Sequence, residues 1–269
     1  MLPYVEFLGV DLYTWAIIVG VIVAVVLFRI FCDKLKLPKK VFNFAFFISL
    51  SAIVVGYLSA MLFQAIFSFR QNGVWDWQGA TFAGGLIGAV IFFLLLYFGI
   101  GHFVFKNKQH VYYLNTVISC AFPCIVIAHA IGRIGCLFAG CCYGLKTESW
   151  LGIEMLIDGV WEKRLPTQLF EAVFLVLLFA VLTYLLLKRK GKNVLLGYLF
   201  GYGVWRFALE FVRDDSARGE SIIPFFTPSQ TISVLMIILG VVILILRKYV
   251  LKDFLAKFNE KYGEKIENK

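Results

Sequence analysis

The chain has 269 residues, 61% of them hydrophobic and only 16% charged, with a mean hydropathy of +0.84. So few charges cannot solvate a globule of this size, which excludes a soluble fold and makes lipid the solvent for most of the surface. The formal net charge of +9 does not indicate nucleic acid, because the basic residues gather in short runs between apolar segments, as topology signals do.

The opening stretch, MLPYVEFLGVDLY, carries acids and no base ahead of the first apolar run. It lacks the basic n-region and small-residue cleavage site of a signal peptide, so the first apolar run is expected to remain as a membrane helix. Seven apolar segments follow, near 12–32, 41–68, 80–100, 111–132, 168–187, 194–213 and 229–250. Each is long enough to cross about 30 Å of hydrocarbon at about 1.5 Å per residue. Unpaired backbone groups are costly in lipid, so all seven are expected to be helices. The expected fold is an all-α polytopic membrane protein: residues 1–250 form a seven-helix domain and 251–269 a basic tail. That tail, with Phe254, Leu255, Phe258 and Tyr262 at helical spacing, lies along the inner leaflet or is simply solvated.

The loops set the orientation. Loop 33–40 (DKLKLPKK), loop 101–110 with Lys106 and Lys108, loop 188–192 (KRKGK) and the tail from Arg247 are basic. Loops 69–79, 141–167 and 214–228 hold few bases and most of the acids. The positive-inside rule then places the N-terminus outside and the C-terminus in the cytoplasm. Trp15, Trp75, Trp77, Trp150 and Trp161 fall near segment ends, where interfacial tryptophans belong.

Some charges fall inside or at the edge of apolar segments: His129 and Arg133 in the fourth, Glu171 in the fifth, Arg206, Glu210 and Arg213 in the sixth. Charge at such depth costs roughly 2.5–3.5 kcal/mol or more per residue, so these groups face one another or a polar cavity. His129 and Arg133 stand i, i+4, with Cys136 a turn further; Arg206, Glu210 and Arg213 stand i, i+4, i+7. Each set shares one helical face, and all reach the outer level. A guanidinium fork suits paired phosphate oxygens, and in a membrane the obvious phosphate is a phospholipid headgroup.

The six cysteines, Cys32, Cys120, Cys124, Cys136, Cys141 and Cys142, show no paired CxxC spacing, so no zinc site is expected. Cys136, Cys141 and Cys142 cluster beside Arg133, where positive charge favours thiolate. They either pack small, act as nucleophiles or serve redox or metal chemistry.

FAGGLIGAV (82–90), GRIGCLFAGCCYG (132–144), PTQLFEA (166–172), YGVWRFALEFVRDD (202–215) and TPSQTIS (227–233), in this order, resemble the elements of the prolipoprotein diacylglyceryl transferase family. GRIGCLFAGCCYG (132–144) is similar to its central signature, FAGGLIGAV (82–90) to its third-helix segment and PTQLFEA (166–172) to its P-S-Q-L-Y-E-A stretch. YGVWRFALEFVRDD (202–215) and TPSQTIS (227–233) are similar to its last two elements, so the likeness covers most of the chain. The resemblance implies transfer of a diacylglyceryl group from phosphatidylglycerol, or another anionic phospholipid, to the thiol of a secreted prolipoprotein, with glycerol 1-phosphate released. It implies a bacterial plasma-membrane enzyme with its site toward the extracytoplasmic face. Arg133, Arg206 and Glu210 become the catalytic set, and Gly132, Gly135, Arg213, Glu171, Gln168, Gly84 and Gly85 line the substrate. No cofactor and no metal is required.

Three positions depart from the pattern. The third-helix motif's histidine is Ala83, the expected second-helix arginine is absent from VVGYLSAMLFQ, and the signature's polar positions hold cysteines. His129 then either replaces the missing base or bonds within the bundle. Alternatives remain an enzyme of the same fold with a different acceptor, a phospholipid hydrolase, a lipid-binding protein without catalysis, and a thiol oxidoreductase.

Overall fold

The computed structural model describes residues 6–77, 81–157, 159–191, 193–214 and 225–249. The basic tail 251–269 lies outside them. The elements run β1 (Glu6–Phe7), β2 (Val10–Asp11), α1 (Leu12–Lys34), α2 (Lys39–Asn72), α3 (Phe82–Val104), α4 (Gln109–Ala139), β3 (Ile153–Ile157), β4 (Val160–Arg164), α5 (Thr167–Lys188), α6 (Val194–Leu209), a 3-10 turn (Glu210–Val212) and α7 (Pro228–Tyr249). Among the described residues, α1, α2, α3, α4, α5 and α7 are long and apolar enough to cross a membrane. The protein is thus mostly helical and multi-pass. The sixth expected segment forms only a 16-residue helix, because a 3-10 turn takes over at Glu210.

Two short hairpins interrupt the all-α expectation. β1 and β2 pair Glu6 with Asp11 across a turn at Leu8 (φ 55°) and Gly9 (φ 72°), the left-handed pair that a two-residue hairpin favours. Asp11 then caps α1, its Oδ1 accepting from the Thr14 N–H at 2.8 Å. β3 and β4 pair antiparallel from Ile153↔Arg164 to Ile157↔Val160. Strand pairing satisfies the backbone of this connection between α4 and α5.

The described residues divide into two compact units, one holding residues up to Leu35 and from Ile118 onward, the other Lys36–Val117. In the second, α2 packs on α3. Ser59 Oγ donates to the Gly84 carbonyl at 2.9 Å, and the Thr81 N–H to the Ala60 carbonyl at 3.1 Å. A Cβ at Gly84 would collide with Phe63, and one at Gly85 would press on Ala60 and the Gly56 backbone. These two glycines therefore set the spacing of α2 and α3. Tyr97 anchors the far end, its hydroxyl donating to the His110 carbonyl at 2.8 Å. In the first unit, Gly135 serves a similar purpose: a Cβ there would meet Ala16 and Tyr13 of α1.

Candidate active site

The first unit gathers its buried charge where the last turns of α4, the first turns of α5, the end of α6 and the start of α7 meet. α4 stays helical through Ala139, so His129, Arg133 and Cys136 do share a face. On α5, Thr167, Gln168 and Glu171 form the buried face of the first turn, each 1% exposed.

Glu171 is the hub. Its Oε2 lies 2.9 Å from Arg133 Nε, and its Oε1 accepts the Tyr202 hydroxyl at 2.8 Å. His129 Nε2 stands 3.7 Å from the same Oε1, and the His129 ring meets the Tyr202 ring edge-on at 5.4 Å. A carboxylate buried this deeply requires a charge partner and hydrogen bonds to offset its desolvation; Arg133 and Tyr202 supply them.

Arg206 follows Tyr202 by one turn of α6 and forms a second cluster. Its Nη1 lies 2.7 Å from Glu210 Oε2, and its Nη2 donates to Ser229 Oγ at 2.6 Å. Glu210 Oε1 accepts the Thr227 hydroxyl at 2.6 Å. Thr227 also begins α7. Its Oγ1 accepts the Gln230 N–H at 3.2 Å, while Gln230 Oε1 accepts the Thr227 N–H at 3.1 Å. This reciprocal pair is a capping box, with Pro228 at the first helical position. One threonine thus starts the helix and braces the carboxylate that holds Arg206.

Arg213 departs from expectation. The 3-10 turn breaks the α-helical face after Glu210, and Arg213 adopts an extended conformation (φ −96°, ψ 145°). It pairs with Gly144 in an antiparallel bridge, and the Leu145 N–H donates to the Val212 carbonyl at 3.1 Å. Its buried side chain is therefore carried to the end of the signature and not along a helix. Gly144 must lack a side chain, because a Cβ would meet the Val212 carbonyl oxygen at 2.6 Å.

The signature's cysteines close α4. Gly140, at φ 68°, ends the helix in the left-handed region. Thr167 Oγ1 donates to the Cys142 carbonyl at 2.9 Å, and Gln168 Nε2 to the Cys141 carbonyl at 2.5 Å. Gln168 Oε1 is buried with no hydrogen-bond partner among the described residues. A Cβ at Gly132 would meet nothing within 4 Å, leaving open space one residue from Arg133.

A model of the family described as prolipoprotein diacylglyceryl transferase matches residues 2–246. The chain belongs to this family. Among its relatives, the phosphatidylglycerol–prolipoprotein diacylglyceryl transferase of Francisella tularensis subsp. novicida (strain U112) is 34% identical over 216 residues, covering 77% of this chain and 76% of the relative. The same enzyme from subsp. mediasiatica (strain FSC147) shows the same identity and coverage, as does that from subsp. holarctica (strain LVS).

For this family member, the structure brings His129, Arg133, Gln168, Glu171, Arg206 and Glu210 into the same unit, with Arg213 and the three cysteines at the end of the signature. Gly84 and Gly85 lie in the other unit, in the α2–α3 packing. The residue reading overlooked Tyr202, Ser229 and Thr227. Tyr202 carried a signal, since it precedes Arg206 by four residues, and so did the capping spacing of Thr227 and Gln230. A further network escaped notice: Arg164 pairs with Glu162 at 2.6 Å and with Asp214, while Lys146 pairs with Glu162.

Proposed function

We propose that this chain is an integral-membrane transferase that moves the diacylglyceryl group of phosphatidylglycerol onto a prolipoprotein cysteine, releasing glycerol 1-phosphate. The observation that supports it is the linked pair Arg133–Glu171–Tyr202 and Arg206–Glu210, in which two deep guanidinium groups are held by buried carboxylates.

The acceptor sulfur attacks the glycerol carbon bonded to the phosphate. The C–S bond forms, the C–O bond breaks, and the phosphate leaves with that electron pair. Arg133 and Arg206 meet the charge that gathers on the leaving oxygens, in a site where low dielectric strengthens them. Glu171 and Glu210 position the guanidinium groups. Gln168, whose Oε1 is otherwise unmatched, accepts a headgroup hydroxyl, and Gly132 leaves room for the lipid. Arg213 adds positive charge at the end of the signature. His129 takes the thiol proton, its ring kept beside Glu171 and Tyr202.

The chain crosses the plasma membrane seven times, N-terminus outside and C-terminus in the cytoplasm, with this site toward the extracytoplasmic face. The basic loops support that orientation. α6 and its 3-10 turn together reach about 30 Å, at about 1.5 and 2.0 Å per residue, which supports a seventh crossing.

The test is purified protein in liposomes of acyl-labelled phosphatidylglycerol with a lipobox peptide. Label on the peptide cysteine, matched by glycerol phosphate release, is the expected result. Glycerol phosphate without peptide labelling replaces this reading with a hydrolase, and an unconsumed lipid replaces it with a binding protein.

A further inference from the structure

The end of α4 does more than stop a helix. The Cys141 N–H donates to the Cys136 carbonyl at 3.2 Å, and the Gly140 N–H to the Leu137 carbonyl at 3.3 Å. With Gly140 left-handed, these two bonds form a Schellman cap, which folds the side chain after the cap back onto the last helical turn. That contact is usually between apolar residues. Here both members are cysteines. Cys142, itself at φ 64°, adds a third. The three sulfurs lie within 4.8 Å of one another, and the carbonyls of Cys141 and Cys142 are pinned by Gln168 and Thr167.

Three sulfurs around a metal at about 2.3 Å stand about 4 Å apart, so little movement would close the set. No imidazole or carboxylate joins the cluster among the described residues, whereas structural zinc takes four ligands. Soft thiolates suit Cu(I), zinc and iron–sulfur clusters, and a set of three, one short of the four that structural zinc takes, matches Cu(I) among them.

We propose that Cys136, Cys141 and Cys142 form a binding site for a soft, thiophilic cation, with three-coordinate Cu(I) as the matching ion. Each sulfur that binds gives its proton to solvent, and no electron is exchanged. The resulting complex is anionic, and Arg133, three residues before Cys136 on α4, and Arg213, bridged to Gly144, carry positive charge to that stretch of the signature. Binding of the ion is a property additional to the transfer reaction proposed above, although the site adjoins its residues.

The full chain in detergent, reduced and kept anaerobic, is titrated with Cu(I) against a chromophoric chelator. Wild type is expected to withhold roughly one ion per chain, with an all-sulfur shell by X-ray absorption. Cys142→Ser is expected to weaken binding by at least the roughly 10–100-fold that loss of an outer-shell partner costs. A variant with Cys32, Cys120 and Cys124 replaced by alanine should keep it. Wild type that withholds no more ion than Cys142→Ser, a nitrogen or oxygen shell, or a disulfide among the three cysteines in the treated sample overturns the proposal.

Discussion

Tyr202 and Arg206 stand one turn apart on α6, and each closes onto a different buried carboxylate: Tyr202 onto Glu171 at 2.8 Å, Arg206 onto Glu210 at 2.7 Å. Through Glu171 the first also reaches Arg133 at 2.9 Å. A single helical face therefore registers both guanidinium groups, although they come from stretches far apart in the chain.

Replacing Arg133 or Arg206 by lysine keeps the charge but loses the planar fork. Transfer of labelled diacylglyceryl to a lipobox peptide is expected to fall about 100- to 1,000-fold in kcat/KM for either variant, the usual cost of removing one transition-state donor. Activity within threefold of wild type for both would remove the two arginines from the reaction.

Glu171→Gln leaves Arg133, whose side chain is only 15% exposed, without its counter-charge. Breaking such a pair from one side destabilises by about 3–5 kcal/mol. Thermal unfolding in detergent should show a large drop in Tm. Tyr202→Phe, which removes one hydrogen bond from the same carboxylate, should cost only about 1 kcal/mol.

If His129 accepts the thiol proton, His129→Ala lowers kcat and flattens the acidic limb of the pH–rate profile. Arg133→Ala should abolish turnover at every pH. An intact rate and unchanged profile in His129→Ala would show that the ring only packs against Tyr202.

Thr227→Val loses the α7 cap and the bond to Glu210 together. The cap alone is worth about 1 kcal/mol. Thr227→Ser should retain both stability and activity, whereas Thr227→Val should lose transfer activity beyond what its Tm shift explains, because Arg206 loses its brace.

Lys146 first and Arg164 second hold the Glu162 carboxyl below its ordinary value. A depressed folded value contributes stability above the unfolded one, about 4.3, and that contribution is lost as pH falls through the folded value. Amide protection factors across β3–β4, each taken against the intrinsic exchange rate at the same pH, should therefore fall in acid below about pH 4, and Glu162→Gln should remove that dependence.

The spans are legible in the chain because lipid imposes a long apolar run on each helix. α6 is the exception: its helix stops at Leu209 and a 3-10 turn takes Glu210–Val212, within the run that reads as one apolar segment. His129–Arg133 and Arg206–Glu210 could be paired by helical spacing alone. The partnership of Arg133 with Glu171 could not, because it joins two helices and no periodicity encodes it. The all-α expectation left out the β3–β4 hairpin, although IEMLI and VWEKR flank Asp158–Gly159, a two-residue turn signal. Arg213 misled because helical spacing was carried past the point where α6 ends. The three cysteines could be placed together near Arg133, but the mutual approach of their sulfurs depends on one left-handed glycine, which spacing rules do not register.

The carboxylates that hold Arg133 and Arg206 have a consequence for turnover in the proposed reaction. Each guanidinium is already compensated before any lipid arrives, so an incoming phosphate must share a cation with its resident partner and does not fall into a bare electrostatic trap. When the phosphorylated glycerol departs, Glu171 and Glu210 are in place to reclaim the cations. The product meets a competitor built into the protein, which favours rapid clearance over tight retention.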